Sequence, residues 1–81
     1  MTGLQTMRLK RVLTQAELAE QTHINLRSLQ YYEQGRKNIE HIRIDKLLRL
    51  CMVLKCSLSD IVDDPECQTL AKEYDKQKET A

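Results

Sequence analysis

Arg27, Gln30, Tyr31 and Gln34 recur in the middle of the chain at i, i+3, i+4 and i+7. On a helix that spacing gathers them on one side. All four carry long or planar hydrogen-bonding groups, and none is an acid. Such groups fit the donors and acceptors that base pairs show in the major groove. Arg suits guanine O6 and N7, and Gln suits adenine N6 and N7. Leu26, in the same helix's first turn, is placed to meet a thymine methyl. A solvated polar face is the plain alternative for this stripe taken alone.

The surrounding residues favour base reading over that alternative. Gln15 opens the preceding helix, where free N–H groups and the helix dipole attract an anion. Asn25 and Ser28 are short polar groups at the start of the reading helix. Arg36, Lys37, Asn38, His41 and Arg43 lie in a polar loop just after it. These eight residues are candidates for phosphate contacts, which fix position without reading sequence. Asn25 also suits capping.

The elements that must hold these groups are short helices. Thr14-Gln15-Ala16-Glu17 is a capping box, which starts a helix over residues 15–22 with Leu18 and Ala19 inward. Asn25 is a good N-cap, Ile24 and Leu29 can form a hydrophobic staple, and Gly35 suits a left-handed stop. The reading helix is therefore predicted over residues 26–34, with Leu29 and Tyr32 on its packing side. Only His23, Ile24 and Asn25 separate the two, which makes a helix-turn-helix. A first helix is predicted over residues 4–12. A fourth, over 44–54, has Ile44, Leu47, Leu48, Cys51 and Leu54 toward the core. Leu50 and Val53 lie off that stripe and are the candidate contact between two copies. Ser57-Leu58-Ser59-Asp60 opens a short fifth helix. Asp64-Pro65 starts a last one, whose thin apolar face (Cys67, Leu70, Ala71, Tyr74) predicts fraying beyond Lys76.

Composition agrees with an all-α fold in a single domain. The 81 residues include no Trp, no Phe and only two Gly and one Pro, too few for the turns of a β-sandwich. No apolar run is long enough to span a bilayer, and the first residues lack the apolar stretch of a secretory signal. Residues 1–55 carry ten Lys and Arg against five Asp and Glu, whereas residues 56–81 carry three against seven. The positive excess thus falls on the segment that holds the reading helix, as a polyanion partner requires. Cys51, Cys56 and Cys67 are an odd set with no paired metal-ligand spacing, even with His23 and His41 added. They are read as free thiols in a reducing cytoplasm, with no metal and no cofactor. Neither a Gly-rich phosphate loop nor a His/Asp/Glu cluster suggests an enzyme.

The segments Thr14-Gln15-Ala16-Glu17-Leu18-Ala19, Ile24-Asn25, Leu29 and Glu33-Gln34-Gly35 resemble the Cro and phage-repressor helix-turn-helix family. The likeness covers roughly residues 4–62, with residues 15–34 as its core motif. It implies a five-helix DNA-binding domain, here extended by a C-terminal helix, usually dimeric and acting on transcription. By the same resemblance Gln15 is a phosphate contact, and Leu26, Arg27 and Tyr31 are base contacts. Arg8 and Glu33 form a structural ion pair. Two positions depart from the pattern. His23 stands in the turn where Gly is frequent, and Val12 stands where Gly or Asn often ends helix one. A β-branched residue at positive φ would be strained.

The sequence therefore predicts a DNA-binding domain over 1–63 and a C-terminal helix and tail over 64–81. The expected activity is that of a bacterial or phage repressor, a homodimer on an inverted-repeat operator. An antitoxin-type autorepressor, with a protein partner on the C-terminal helix, is a variant of this. A helical interaction module that ignores DNA is the alternative from another class.

Overall fold

In the computed structural model, residues 1–80 are described, with side chains for residues 1–77. Among the described residues six α-helices follow one another: α1 Gly3–Lys10, α2 Gln15–Thr22, α3 Leu26–Glu33, α4 Ile44–Leu54, α5 Leu58–Ile61 and α6 Pro65–Thr80. A 3-10 turn, Ile39–His41, precedes α4. No strand occurs among the described residues.

Local chemistry sets most boundaries. The Thr14 hydroxyl accepts from Glu17 N–H at 3.1 Å, and the Glu17 carboxylate accepts from Thr14 N–H at 2.9 Å. Asn25 Oδ1 accepts from the N–H groups of Arg27 and Ser28 at 2.9 and 3.3 Å. Asp64 Oδ2 accepts from Cys67 N–H at 3.0 Å, with Pro65 at the first helical position, where its missing N–H costs nothing. Thr2 caps α1 by accepting from Gln5 N–H, so the Thr2-Gly3-Leu4-Gln5 segment is a start signal that the expected start at residue 4 leaves out. The first helix consequently begins at Gly3 and stops at Lys10, two residues short of the expected end.

Three corners are turned by residues other than glycine. Val12, His23 and Lys55 have φ of 56°, 58° and 52°. The two departures from the family pattern thus occupy the strained conformation, and Val12 does so while 88% exposed.

The core is one cluster. Leu4, Leu18, Ala19, Ile24, Leu29, Ile39, Leu50, Leu54, Ile61 and Val62 are buried in it. Gly3 lets the start of α1 lie on α5, because a Cβ there would run into the Asp60 carbonyl. Arg11 ties α1 to the end of α4. Its guanidinium donates to the Leu54 and Lys55 carbonyls at 2.7 and 3.1 Å, which have no partner within the helix.

Two expectations about packing are corrected. Leu50 is fully buried, so it cannot be the contact between copies, and Val53 is partly packed on the core. Ile44 and Leu48, expected toward the core, instead join Met52 on the outward stripe of α4, and the three are 64, 49 and 76% exposed. The second half of α4, from Leu50 to Leu54, is wholly apolar, so periodicity there leaves its rotation undetermined. Docking against α2 selects the face through Leu47, Leu50 and Leu54. The segment after Gly35 is also less loop-like than expected, because Ile39 inserts into the core through its 3-10 turn.

The last helix packs mainly on α5. It presents Cys67 and Ala71 to the core edge but leaves Leu70 and Tyr74 more than half exposed. It remains helical through Thr80, past the point where fraying was expected. Position 81 lies outside the described residues.

Candidate nucleic-acid interface

Helices α2 and α3 pack through Leu18, Ala19 and Leu29, with Ile24 buried in the turn between them. This packing turns the opposite side of α3 outward. Leu26, Arg27 and Gln34 are exposed there, and Gln30 and Tyr31 are half-buried. Four of the five proposed base-reading groups are thus carried on one short helix whose start is fixed by Asn25, and Gln34, expected in its last turn, is its C-cap.

Glu33 is the one acid on α3, and it faces inward. Arg8 meets it in a fork, with Nε to Oε2 at 2.7 Å and Nη2 to Oε1 at 3.0 Å. Both side chains are at least nine-tenths buried. Arg8 Nη1 also donates to the Leu13 carbonyl at 2.7 Å, and Thr2 Oγ1 donates to the Glu33 carbonyl at 3.1 Å. Helix α1 is therefore tied to α3 by charge-assisted and neutral bonds together. Among the described residues no buried polar side-chain atom lacks a partner.

This buried pair is linked to the reading face. Gln15 Nε2 donates to Glu33 Oε1 at 3.2 Å, and Gln15 Oε1 accepts from Gln30 Nε2 at 3.4 Å. The Gln15 amide thus sits half-buried at the start of α2, between the interior and Gln30. The sequence by itself points Gln15 only to the phosphate side. The extra bonds depend on how α2 and α3 cross, which sequence does not state.

A second cluster lies at the end of α3. The Arg36 guanidinium and the Lys37 ammonium lie 5.8 and 5.7 Å from the Tyr31 ring centre, and Lys37 is also 5.9 Å from that of Tyr32. Both cations are therefore held beside the reading stripe by ring contacts. The backbone helps, since Arg36 and Lys37 N–H both donate to the Tyr31 carbonyl.

The remaining phosphate candidates are more scattered. Ser28 is half-buried in the first turn of α3, and Asn25 is exposed but engaged in capping. Asn38 and His41 are exposed at the two ends of the 3-10 turn. Arg43 is exposed and pairs with Asp45 at 3.2 Å, so part of its field is already compensated. Glu17, at the start of α2, has its carboxyl held below the ordinary range by the Thr14 N–H and hydroxyl.

A helix-turn-helix with an outward stripe of base-matching groups and cations gathered at its end defines a DNA-binding domain. Its family follows from the sequence as a whole. The profile of the Cro/C1-type HTH DNA-binding domain matches residues 4–66, and the chain belongs to that family. Neither the curated proteins nor the solved structures gave a match. No helix among the described residues is long and apolar enough to cross a membrane.

Proposed function

We propose that this protein is a sequence-specific transcriptional regulator. It reads the major groove with α3 and acts as a dimeric repressor on an inverted-repeat operator. The observation that carries this reading is the distribution of charge on α3. Its outward side holds Arg27, Gln30 and Tyr31, with Gln34 at its C-cap, while its one acid is turned inward against Arg8. Arg27, Gln30, Tyr31 and Leu26 are the base readers, joined by Gln34 at the far end. Gln15, Asn25, Ser28, Arg36, Lys37 and Asn38 hold phosphates, with His41 and Arg43 at the margin.

Each chain offers one reading helix, so a second half-site needs a second copy. Half-sites one helical turn apart place the two reading helices about 34 Å from each other. The Ile44, Leu48 and Met52 stripe is the surface we assign to that contact in place of Leu50 and Val53. A bacterial or phage cytoplasm is the setting in which such a repressor works. An antitoxin-type autorepressor is a second reading, favoured by the exposure of Leu70 and Tyr74 on α6. There a groove of about 330 Å³, also lined by Leu47 and Leu58, could hold a protein partner.

Selection from random oligonucleotides tests the reading directly, and two inverted half-sites are expected. Arg27→Ala should then cost roughly 1–3 kcal/mol on the selected site and relax one base position. Lys37→Ala should weaken binding evenly across sequences and flatten its salt dependence. Failure to select any motif at low salt would overturn the proposal.

A further inference from the structure

The C-terminal end of α4 holds two cysteines that DNA reading does not use. Lys55 turns left-handed there, and the N–H groups of Lys55 and Cys56 both donate to the Cys51 carbonyl, the latter at 3.2 Å. One carbonyl thus takes the Cys56 bond of a Schellman cap together with the Lys55 bond of the simpler αL cap. This cap sets the side chains at the positions of Cys51 and Cys56 against each other, ordinarily for an apolar contact. Here both are thiols, close enough for each to perturb the other's acidity. Both are half-buried and line one cavity of about 300 Å³ together with Leu48, Leu58, Tyr74 and Asp75. A small solute can therefore reach the sulfurs. Among the described residues no group of three His, Cys, Asp or Glu is placed to hold a metal ion. The pair is thus suited to chemistry between two sulfurs.

We propose that Cys51 and Cys56 form an oxidisable dithiol, a modification site that takes a hydroperoxide and closes to a disulfide across the α4 cap. The Cys51 thiolate attacks the outer oxygen of the peroxide and the O–O bond breaks. Cys51 becomes a sulfenic acid, and the inner oxygen leaves as an alcohol, or as water from hydrogen peroxide. The Cys56 sulfur then attacks the Cys51 sulfur, the S–O bond breaks, and the hydroxyl departs as water with the Cys56 proton. Two thiols and one hydroperoxide thus give one disulfide, one alcohol and one water. Cys51 is the first nucleophile because the neighbouring Cys56 thiol holds it below the ordinary thiol range and is itself pushed up. A disulfide requires Cα atoms about 4.4–6.8 Å apart, a separation that the cap's backbone bonds favour.

The test uses the full chain carrying Cys67→Ser, so that only this pair remains, treated with hydrogen peroxide. Lys55 lies between the two cysteines, so trypsin separates them unless a disulfide joins the fragments. The expected product is a monomer that has lost two hydrogens and whose fragments are linked. The further variant Cys56→Ser should stop at a sulfenic acid on Cys51, captured by dimedone. Because the two cysteines are near neighbours in sequence, closure is also timed in urea. The folded chain should close roughly tenfold faster or more, since ordered geometry raises the effective concentration. Two free thiols after treatment, over-oxidation of one sulfur, or linkage only between chains would each overturn the proposal. So would equal rates in the folded and urea-treated protein.

Discussion

At the scale of single residues, the Arg8–Glu33 pair carries the largest local stake. Removing one partner leaves the other charge buried and unmatched. Arg8→Ala is expected to destabilise the fold by about 3–5 kcal/mol in urea denaturation. The double variant Arg8→Met with Glu33→Leu should recover most of that loss, because no charge is stranded. A double variant as weak as the single one would show that the pair's geometry, not its charge balance, matters. Glu17 supplies a pH test. Its native carboxyl is held below the ordinary range, so its contribution is complete above that range and is lost as pH falls through the native value. Glu17→Gln keeps a capping-box side chain but cannot titrate. Thermal melts by circular dichroism should show wild type ahead of the variant at neutral pH and level with it in acid. A constant gap at all pH would assign the effect to packing.

At the scale of elements, legibility followed the range of the interactions. Helices α2 and α3 were readable because Thr14, Glu17 and Asn25 act on backbone within three residues of themselves. The rotation of α4 was not readable, because its second half, Leu50 to Leu54, is wholly apolar and only its neighbours choose among its faces. Ile39 was missed for a related reason: it and Ile42 are the two apolar residues between Gly35 and Arg43, too few to set a period. The residues of the candidate site were legible by type and spacing. The bond from Gln15 to Gln30 was not, since it arises where two helices cross. Val12 was legible as a misfit, and its φ of 56° turns that misfit into a prediction. It is almost fully exposed, so its replacement forfeits little burial. Val12→Gly should raise stability by up to about 1 kcal/mol, the relief of a left-handed penalty less the extra freedom of unfolded glycine. A fall in the urea midpoint would mean that the corner is not strained.

At the scale of the whole molecule, charge and apolar surface are separated along the chain. The positive excess lies with α1 to α4, and the acids gather toward α5 and α6. The exposed Ile44, Leu48 and Met52 belong to α4, while the reading stripe belongs to α3. In the proposed dimer, contact between copies and contact with DNA therefore fall on different helices. Met52→Glu or Leu48→Glu should shift sedimentation toward monomer, leave the helical spectrum unchanged and reduce affinity for a two-half-site operator more than for a single half-site. Leu50→Glu should instead unfold the chain, since it places a carboxylate in the core. A dimer that survives both surface substitutions would move the interface to α6.

The inward turn of Glu33 has a consequence for how variants of this protein will be interpreted. A reading helix that bears a carboxylate would repel the duplex if that group swung outward. Arg8 therefore shields the polyanion from an acid as well as bracing the scaffold, although it is not among the proposed DNA contacts. In a screen scored only by operator occupancy, damage at Arg8 will look the same as loss of a base-reading side chain. Measuring folding alongside occupancy is what tells the two apart.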